Sequence, residues 1–154
     1  MYKRVLVPLD GSRLAEGILP LVLLITGPLD LEVVLVRVVP PIPPQTLEGT
    51  GPFMVDVVAT RLEEAREYLA GVAANLRKRG VRVITEARTG EPVTELVAAA
   101  REPGADLIAM TTHGRSGFGR LLFGSIAEAV LRQAKVPVLM MRLTERQAST
   151  AEAA

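Results

Sequence analysis

Residues able to do chemistry are densest in Thr111-Thr112-His113-Gly114-Arg115-Ser116-Gly117-Phe118-Gly119-Arg120, followed by Leu121-Leu122-Phe123-Gly124-Ser125. The glycines allow tight turns and let backbone N–H groups approach a ligand with no Cβ in the way. From Gly124 onward the chain reads as the opening of a helix. The unpaired N–H groups of a helix start favour an anion, and the macrodipole adds to that attraction. Gly124 and Ser125 therefore stand where a phosphate would rest. The Ser125 hydroxyl adds a donor and Arg115 adds charge. The plainer alternative uses the same residues: Ser125 with Glu128 three positions on fits a capping box, which would serve a helix that binds nothing.

Asp10 is the second candidate. It ends the apolar run Val5-Leu6-Val7-Pro8-Leu9 and precedes Gly11-Ser12. A lone carboxylate beside phosphates holds a divalent ion through water or accepts a ribose hydroxyl. Its alternative role is an N-terminal cap or an Asx turn. Two familiar phosphate motifs are absent. No Gly-Lys-Ser/Thr occurs, and Asp10-Gly11-Ser12 is not the G-x-G-x-x-G of a dinucleotide fold. His113 is the sole imidazole, and no G-x-S-x-G elbow accompanies a serine. His113 reads as a loop hydrogen-bonder, and no residue is evidently placed to activate water for hydrolysis.

The rest of the chain sets the frame for these residues. Its 154 residues are 49% hydrophobic and 23% charged, enough for one domain with one sizeable core and too apolar for disorder. The 18 Lys and Arg against 17 Asp and Glu leave a charge of +1, without the basic excess of a nucleic-acid binder. Zero Cys excludes disulfides and thiol catalysis, and one His excludes a multi-His metal site within the chain. The apolar run Ile18 to Thr26 is too short to span a bilayer, and no leader segment is visible. A cytoplasmic protein with no membrane and no nucleic-acid partner is expected.

Apolar runs alternate with amphipathic ones. Val5 to Leu9 reads as a buried strand. Leu14 to Ile25 reads as a helix with Ser12 as N-cap, closed by Gly27-Pro28. Leu31 to Val39 is a second strand. Pro40 to Pro52 holds five prolines and two glycines and is a loop. Val58, Leu62, Ala65, Leu69, Val72 and Leu76 recur at helical spacing, stopped at Arg77 to Gly80. Val81, Val83, Thr85 and Ala87 alternate as in a strand near a sheet edge. Pro92 suits the first turn of a helix running to Glu102. Asp106 to Thr111 is a buried strand, Ser125 to Gln133 a helix, and Val136 to Arg142 the last strand. The tail from Thr144 to Ala154 is polar, leaving 1–143 as the domain and 144–154 as a flexible tail. Phe53 and Met54 read as a helix staple or core filling, with a partner surface as the alternative. Alternating strands and helices imply an α/β fold, a doubly wound, Rossmann-like parallel sheet covered on both faces. Ligands bind such sheets outside the carboxyl ends of the strands, at the switch point.

At these residues the sequence resembles the universal stress protein family over nearly its whole length, from Val5 to about Arg142. The ATP-binding branch of that family carries G-x-x-G, nine residues, then G-S/T. Gly114, the nine residues Arg115 to Phe123, and Gly124-Ser125 match its second half. The first glycine of the pattern falls on Thr111, which suits the β geometry of a strand end. Val7-Pro8-Leu9-Asp10-Gly11-Ser12, His113 to Gly117, Gly124-Ser125-Ile126-Ala127-Glu128 and Val136-Pro137-Val138-Leu139 also look like the family.

The resemblance implies a five-stranded parallel sheet of order 3-2-1-4-5. It implies ATP as the ligand, with Mg or Mn held at Asp10, through water in one version. The adenine-nucleotide site it implies is drawn from Pro8, Leu9, Asp10, Val38, Met110, Gly114, Arg115, Gly117, Gly124, Ser125 and Ile126, with the backbone of Val38 reading adenine. It further implies a stress-response switch or sensor, and a homodimer through Val136 to Arg142, with a tetramer as the other assembly. The alternatives are a nucleotide-free dimeric interaction module and a very slow ATPase.

Overall fold

The computed structural model describes residues 2–42, 53–102, 104–112 and 124–143. The expected tail from 144 on lies outside these residues. The elements run β1 (Arg4–Pro8), α1 (Arg13–Glu16), α2 (Leu19–Leu29), β2 (Glu32–Val39), α3 (Phe53–Arg77), β3 (Val83–Thr89), α4 (Pro92–Arg101), β4 (Leu107–Thr112), α5 (Ser125–Gln133) and β5 (Val138–Arg142). The five strands form one sheet of order β3-β2-β1-β4-β5, with every neighbouring pair parallel. This is the expected doubly wound α/β architecture.

Period-two alternation divides the strand residues between two helix layers. Val5, Val7, Val33, Leu35 and Ala109 pack on one face against Ile18 and Val22 of the α1–α2 segment and Leu69, Ala73 and Leu76 of α3. Leu6, Val34, Val36, Ile108 and Met110 pack on the other against Leu96 and Ala99 of α4 and Ala127 and Val130 of α5. Val5, Leu6, Val7 and Val33 to Val36 are wholly buried, which explains their unbroken apolar run. Each such side chain contributes about 1.5–3 kcal/mol by leaving water.

Local chemistry sets the helix starts. The Ser12 hydroxyl accepts the Ala15 N–H at 3.1 Å, as expected of an N-cap. Pro92 stands at the start of α4, and the Glu91 carboxylate accepts the N–H groups of Thr94 (2.8 Å) and Val93 (3.2 Å). Those bonds hold the Glu91 carboxyl below its ordinary range, the Thr94 N–H first among them.

The first helix differs from its expected form. It is broken at Gly17-Ile18 into α1 and α2, because Pro20 sits in the first turn of α2, where no helical N–H is needed. Gly17 at the break lies against Leu143, and a Cβ there would come within 2.7 Å of that side chain. The second segment also runs through Gly27-Pro28 to Leu29 rather than ending before them. Pro28 lacks the N–H that would reach the Leu24 carbonyl, and Leu24 is 72% exposed, on the side where water can replace the lost donor. The end of α2 is a Schellman arrangement: the Leu31 N–H donates to Thr26 and the Asp30 N–H to Gly27. The left-handed residue in it is Asp30, at φ 48°, where glycine is the usual choice.

That position yields the first prediction. Asp30 pairs with Arg82 at 3.0 Å, but both side chains are mostly exposed, so the pair adds little. Asp30→Gly removes the Cβ penalty of the left-handed conformation, so stability measured by urea unfolding should rise by about 0.5 kcal/mol. A fall of about 1 kcal/mol or more would mean that the Arg82 contact outweighs backbone strain.

Candidate functional site

The strand order reverses between β1 and β4, since the chain leaves β1 toward β2 and returns from β3 to β4 on the other side. At their carboxyl ends lies a cavity of about 600 Å³. Pro8, Leu9 and Asp10 from the end of β1, Val38 from β2, Met110 from β4, and Gly124, Ser125 and Ile126 from the start of α5 all line it. These are the eight expected site residues within the described segments, drawn from four elements to one opening. Gly114, Arg115 and Gly117 lie outside the described residues, as do His113 and the Pro43 to Pro52 part of the expected loop.

The start of α5 decides between the two readings of Ser125. The N-cap is Gly124, in extended geometry, and among the described residues no side chain caps the helix. Ser125 is the first helical residue, so the capping box with Glu128 does not form. Glu128 instead pairs with Arg132 one turn on, at 2.6 Å. The correction has a simple cause: a capping box needs its serine one position earlier, outside the helix. The start of α5 therefore borders the cavity with no side-chain acceptor among the described residues, the arrangement that suits a phosphate.

Asp10 takes the Asx-turn geometry that was its alternative role. Its Oδ1 accepts the Ser12 N–H at 2.8 Å. The turn leaves Oδ2 for other partners, so the Asx role and a ligand role coexist. Among the described residues no cluster of three His, Cys, Asp or Glu could hold a metal alone. Thr111 sits inside β4, paired with Met141 of β5. Its hydroxyl donates to the Leu14 carbonyl at 3.0 Å and ties β4 to α1. The position is ordinary strand, so a β-branched residue fits without strain.

The sequence reading passed over other lining residues. Arg61 and Glu64 of α3 and Pro92 and Leu96 of α4 complete the walls, together with Arg37 of β2. The Arg37 guanidinium lies over the Tyr68 ring, 4.9 Å from its centre. The Tyr68 hydroxyl donates to Glu16 at 2.7 Å. Burial first, then that hydrogen bond, holds the Tyr68 phenol well above its ordinary range, so it stays a neutral donor. The signal that could have found Arg37 is its charge inside the otherwise apolar run Val33 to Val39.

Comparisons with known proteins place this geometry. The model of the universal stress protein family matches residues 1–142. The chain is 33% identical over 148 residues to the universal stress protein MJ0531 of Methanocaldococcus jannaschii, a match covering 96% of this chain and 86% of that protein. Among solved structures it is similar to the protein MJ0577, of the same organism, with a TM-score of 0.79 at 28% identity, covering 94% of this chain and 99% of that one. It is also similar to a universal stress protein solved in complex with cAMP, with a TM-score of 0.60 at 26% identity, over 92% of this chain and 97% of that one.

The Thr111 hydroxyl can be tested alone. Thr111→Val keeps the shape and the strand preference but removes the bond to Leu14. Its expected cost is about 0.5–1.5 kcal/mol of stability in urea unfolding. No change would mean that α1 is held to β4 by packing alone.

Proposed function

The chain belongs to the universal stress protein family, and we propose that within it this protein binds ATP with Mg at the switch point and acts as a nucleotide-dependent switch in stress response. One observation carries the reading. Among the described residues the start of α5 has no side-chain cap, and it opens into a cavity walled by the ends of β1, β2 and β4. Its free N–H groups and dipole favour a phosphate chain there. The apolar side chains of Val38, Met110 and Ile126 supply the surface that an adenine ring needs. The similar protein solved with cAMP supports an adenine nucleotide as the ligand class.

The roles divide by chemistry. Gly124 and Ser125 receive phosphate oxygens. Gly114, Arg115 and Gly117, on the segment between β4 and α5, belong to the same phosphate site by their motif. Pro8, Leu9 and Val38 border the base and sugar, and the Val38 backbone reads adenine. Asp10 accepts a ribose hydroxyl or holds Mg through water. A single carboxylate fits Mg, which keeps several waters and takes its other ligands from phosphates.

The second part of the proposal is a homodimer through β5. The two edges of the sheet differ in kind. On β3, Arg88 forms ion pairs with Glu86, Glu95 and Glu102, so charge guards that edge. On β5, Val138 to Met141 are half-buried and uncharged, a strand open to pairing with a second copy.

Two experiments test these readings. In the first, Mg–ATP is titrated calorimetrically into the nucleotide-stripped protein and into Gly124→Asp. Aspartate is a good N-cap, so the variant should melt at or above the temperature of the parent. The same carboxylate occupies the phosphate position, so affinity should fall by about tenfold or more. Mg–ATP should slow limited proteolysis of the parent and not of the variant. A folded parent that binds no ATP would sink the nucleotide reading and leave a nucleotide-free dimeric module. The second experiment uses Met140→Pro. The Pro137 carbonyl faces β4, where it accepts the Ile108 N–H, so the Met140 N–H faces the free edge. Proline there blocks edge pairing without breaking the sheet. Light scattering should find a folded monomer where the parent is a dimer, and a variant that stays dimeric would place the interface elsewhere.

A further inference from the structure

Among the described residues, Arg37 is a partly buried cation without an ion pair. Among the described residues it forms no ion pair and no hydrogen bond; it lies over the Tyr68 ring and close to Gly11. A Cβ on Gly11 would lie 3.2 Å from Cζ, Nη1 and Nη2 alike, so the guanidinium lies flat beneath the turn that carries Asp10. Three other arginines in or beside the strands are answered by acids: Arg4 by Glu32, Arg82 by Asp30, and Arg88 by three glutamates. Two carboxylates of this region have partners of their own: Glu16 accepts from the Tyr68 hydroxyl, and one oxygen of Asp10 accepts from the Ser12 N–H. Glu64 borders the same cavity on the exposed face of α3.

A guanidinium held over an aromatic ring keeps its edge donors for a bidentate acceptor, and two oxygens of a phosphate monoester match that fork. Its place in the cavity says where that phosphate must be. The start of α5 takes the 5′-phosphates and the Val38 backbone borders the base, with Asp10 between them. The part of a nucleotide that reaches the β1–α1 turn and the end of β2 is then the ribose. In dinucleotide-binding sheets a carboxylate at this point accepts a ribose hydroxyl, and an arginine accepts a phosphate on that hydroxyl. This chain carries both groups, Asp10 and Arg37, in the lining of one cavity. We propose that Arg37 is a specificity-determining residue for a phosphate on the ribose ring, so that the favoured ligands are adenine nucleotides phosphorylated at the 5′ position and again at the 2′ or 3′ position. The inference rests on the nucleotide reading above and names the ligand class of the same site.

Calorimetry with three probes tests it: adenosine 5′-monophosphate, adenosine 3′,5′-bisphosphate and adenosine 2′,5′-bisphosphate, each against the parent and Arg37→Met. Methionine keeps an apolar stem on Tyr68 and removes the fork. One bisphosphate should bind the parent about tenfold tighter than the monophosphate, a gain typical of one charge-assisted contact. Arg37→Met should erase that gain and leave monophosphate affinity within about twofold, since no 5′-phosphate contact is lost. Arg37→Lys should restore only part of the gain, because the charge returns without the bidentate geometry. Monophosphate binding with no bisphosphate preference, or an equal loss of all three in Arg37→Met, overturns the ribose-phosphate subsite alone. A folded parent that binds none of the three overturns it together with the nucleotide reading.

Discussion

The structure depends on the wholly buried central strands of a parallel sheet. β1 lies between β2 and β4, and Val5, Leu6 and Val7 are fully buried between two helix layers. No connection can cross above β1 and β4, because the chain departs from one side of β1 and returns on the other. The carboxyl ends of these strands are left as an opening between the two windings. The cavity is therefore a consequence of topology, and the side chains around it decide what it accepts.

The opposite end of the sheet is pinned by polar contacts. The Asp106 carboxylate accepts the N–H groups of Lys3 (2.6 Å) and Arg4 (3.0 Å), and these bonds lower its pKa from the ordinary carboxylate range. The Arg4 side chain in turn pairs with Glu32 at 2.6 Å. These contacts join the amino-terminal ends of β1, β2 and β4 directly below the site. They are exposed, so their energetic weight is small, but they fix the register of the three strands whose far ends wall the cavity. A polar clasp at one end and an open crevice at the other separate what holds the sheet from what meets a ligand.

At the open end, charges answer one another selectively. Asp10 shapes its turn through one oxygen, Glu16 holds the Tyr68 hydroxyl, and Tyr68 supports Arg37 by its ring. The start of α5 and Arg37, neither of which has an acidic partner among the described residues, border the same cavity. Both favour negative charge, and a partly buried cation without a counter-ion is tolerated most easily where an anionic ligand supplies one.

The sequence by itself determined the order of strands and helices, the burial of the central strands, the Ser12 cap and the start of α5. Those features are local or periodic: side-chain alternation, proline and glycine positions, and hydroxyls before helices act within a few residues. Motif residues at the ends of β1, β2 and β4 and the start of α5 were legible for the same reason, since a switch point follows from element order. Tertiary structure decided the rest. The break at Gly17 depends on Leu143 packing against it from the other end of the chain. The hydroxyl bond of Thr111 reaches Leu14 across 97 residues. The setting of Arg37 joins β2, the β1–α1 turn and α3, and no local pattern records that they meet. Ser125 lay between two readings until the helix start was fixed one residue earlier than a capping box requires. Local rules state what a residue can do, and only long-range packing states which partner is within reach.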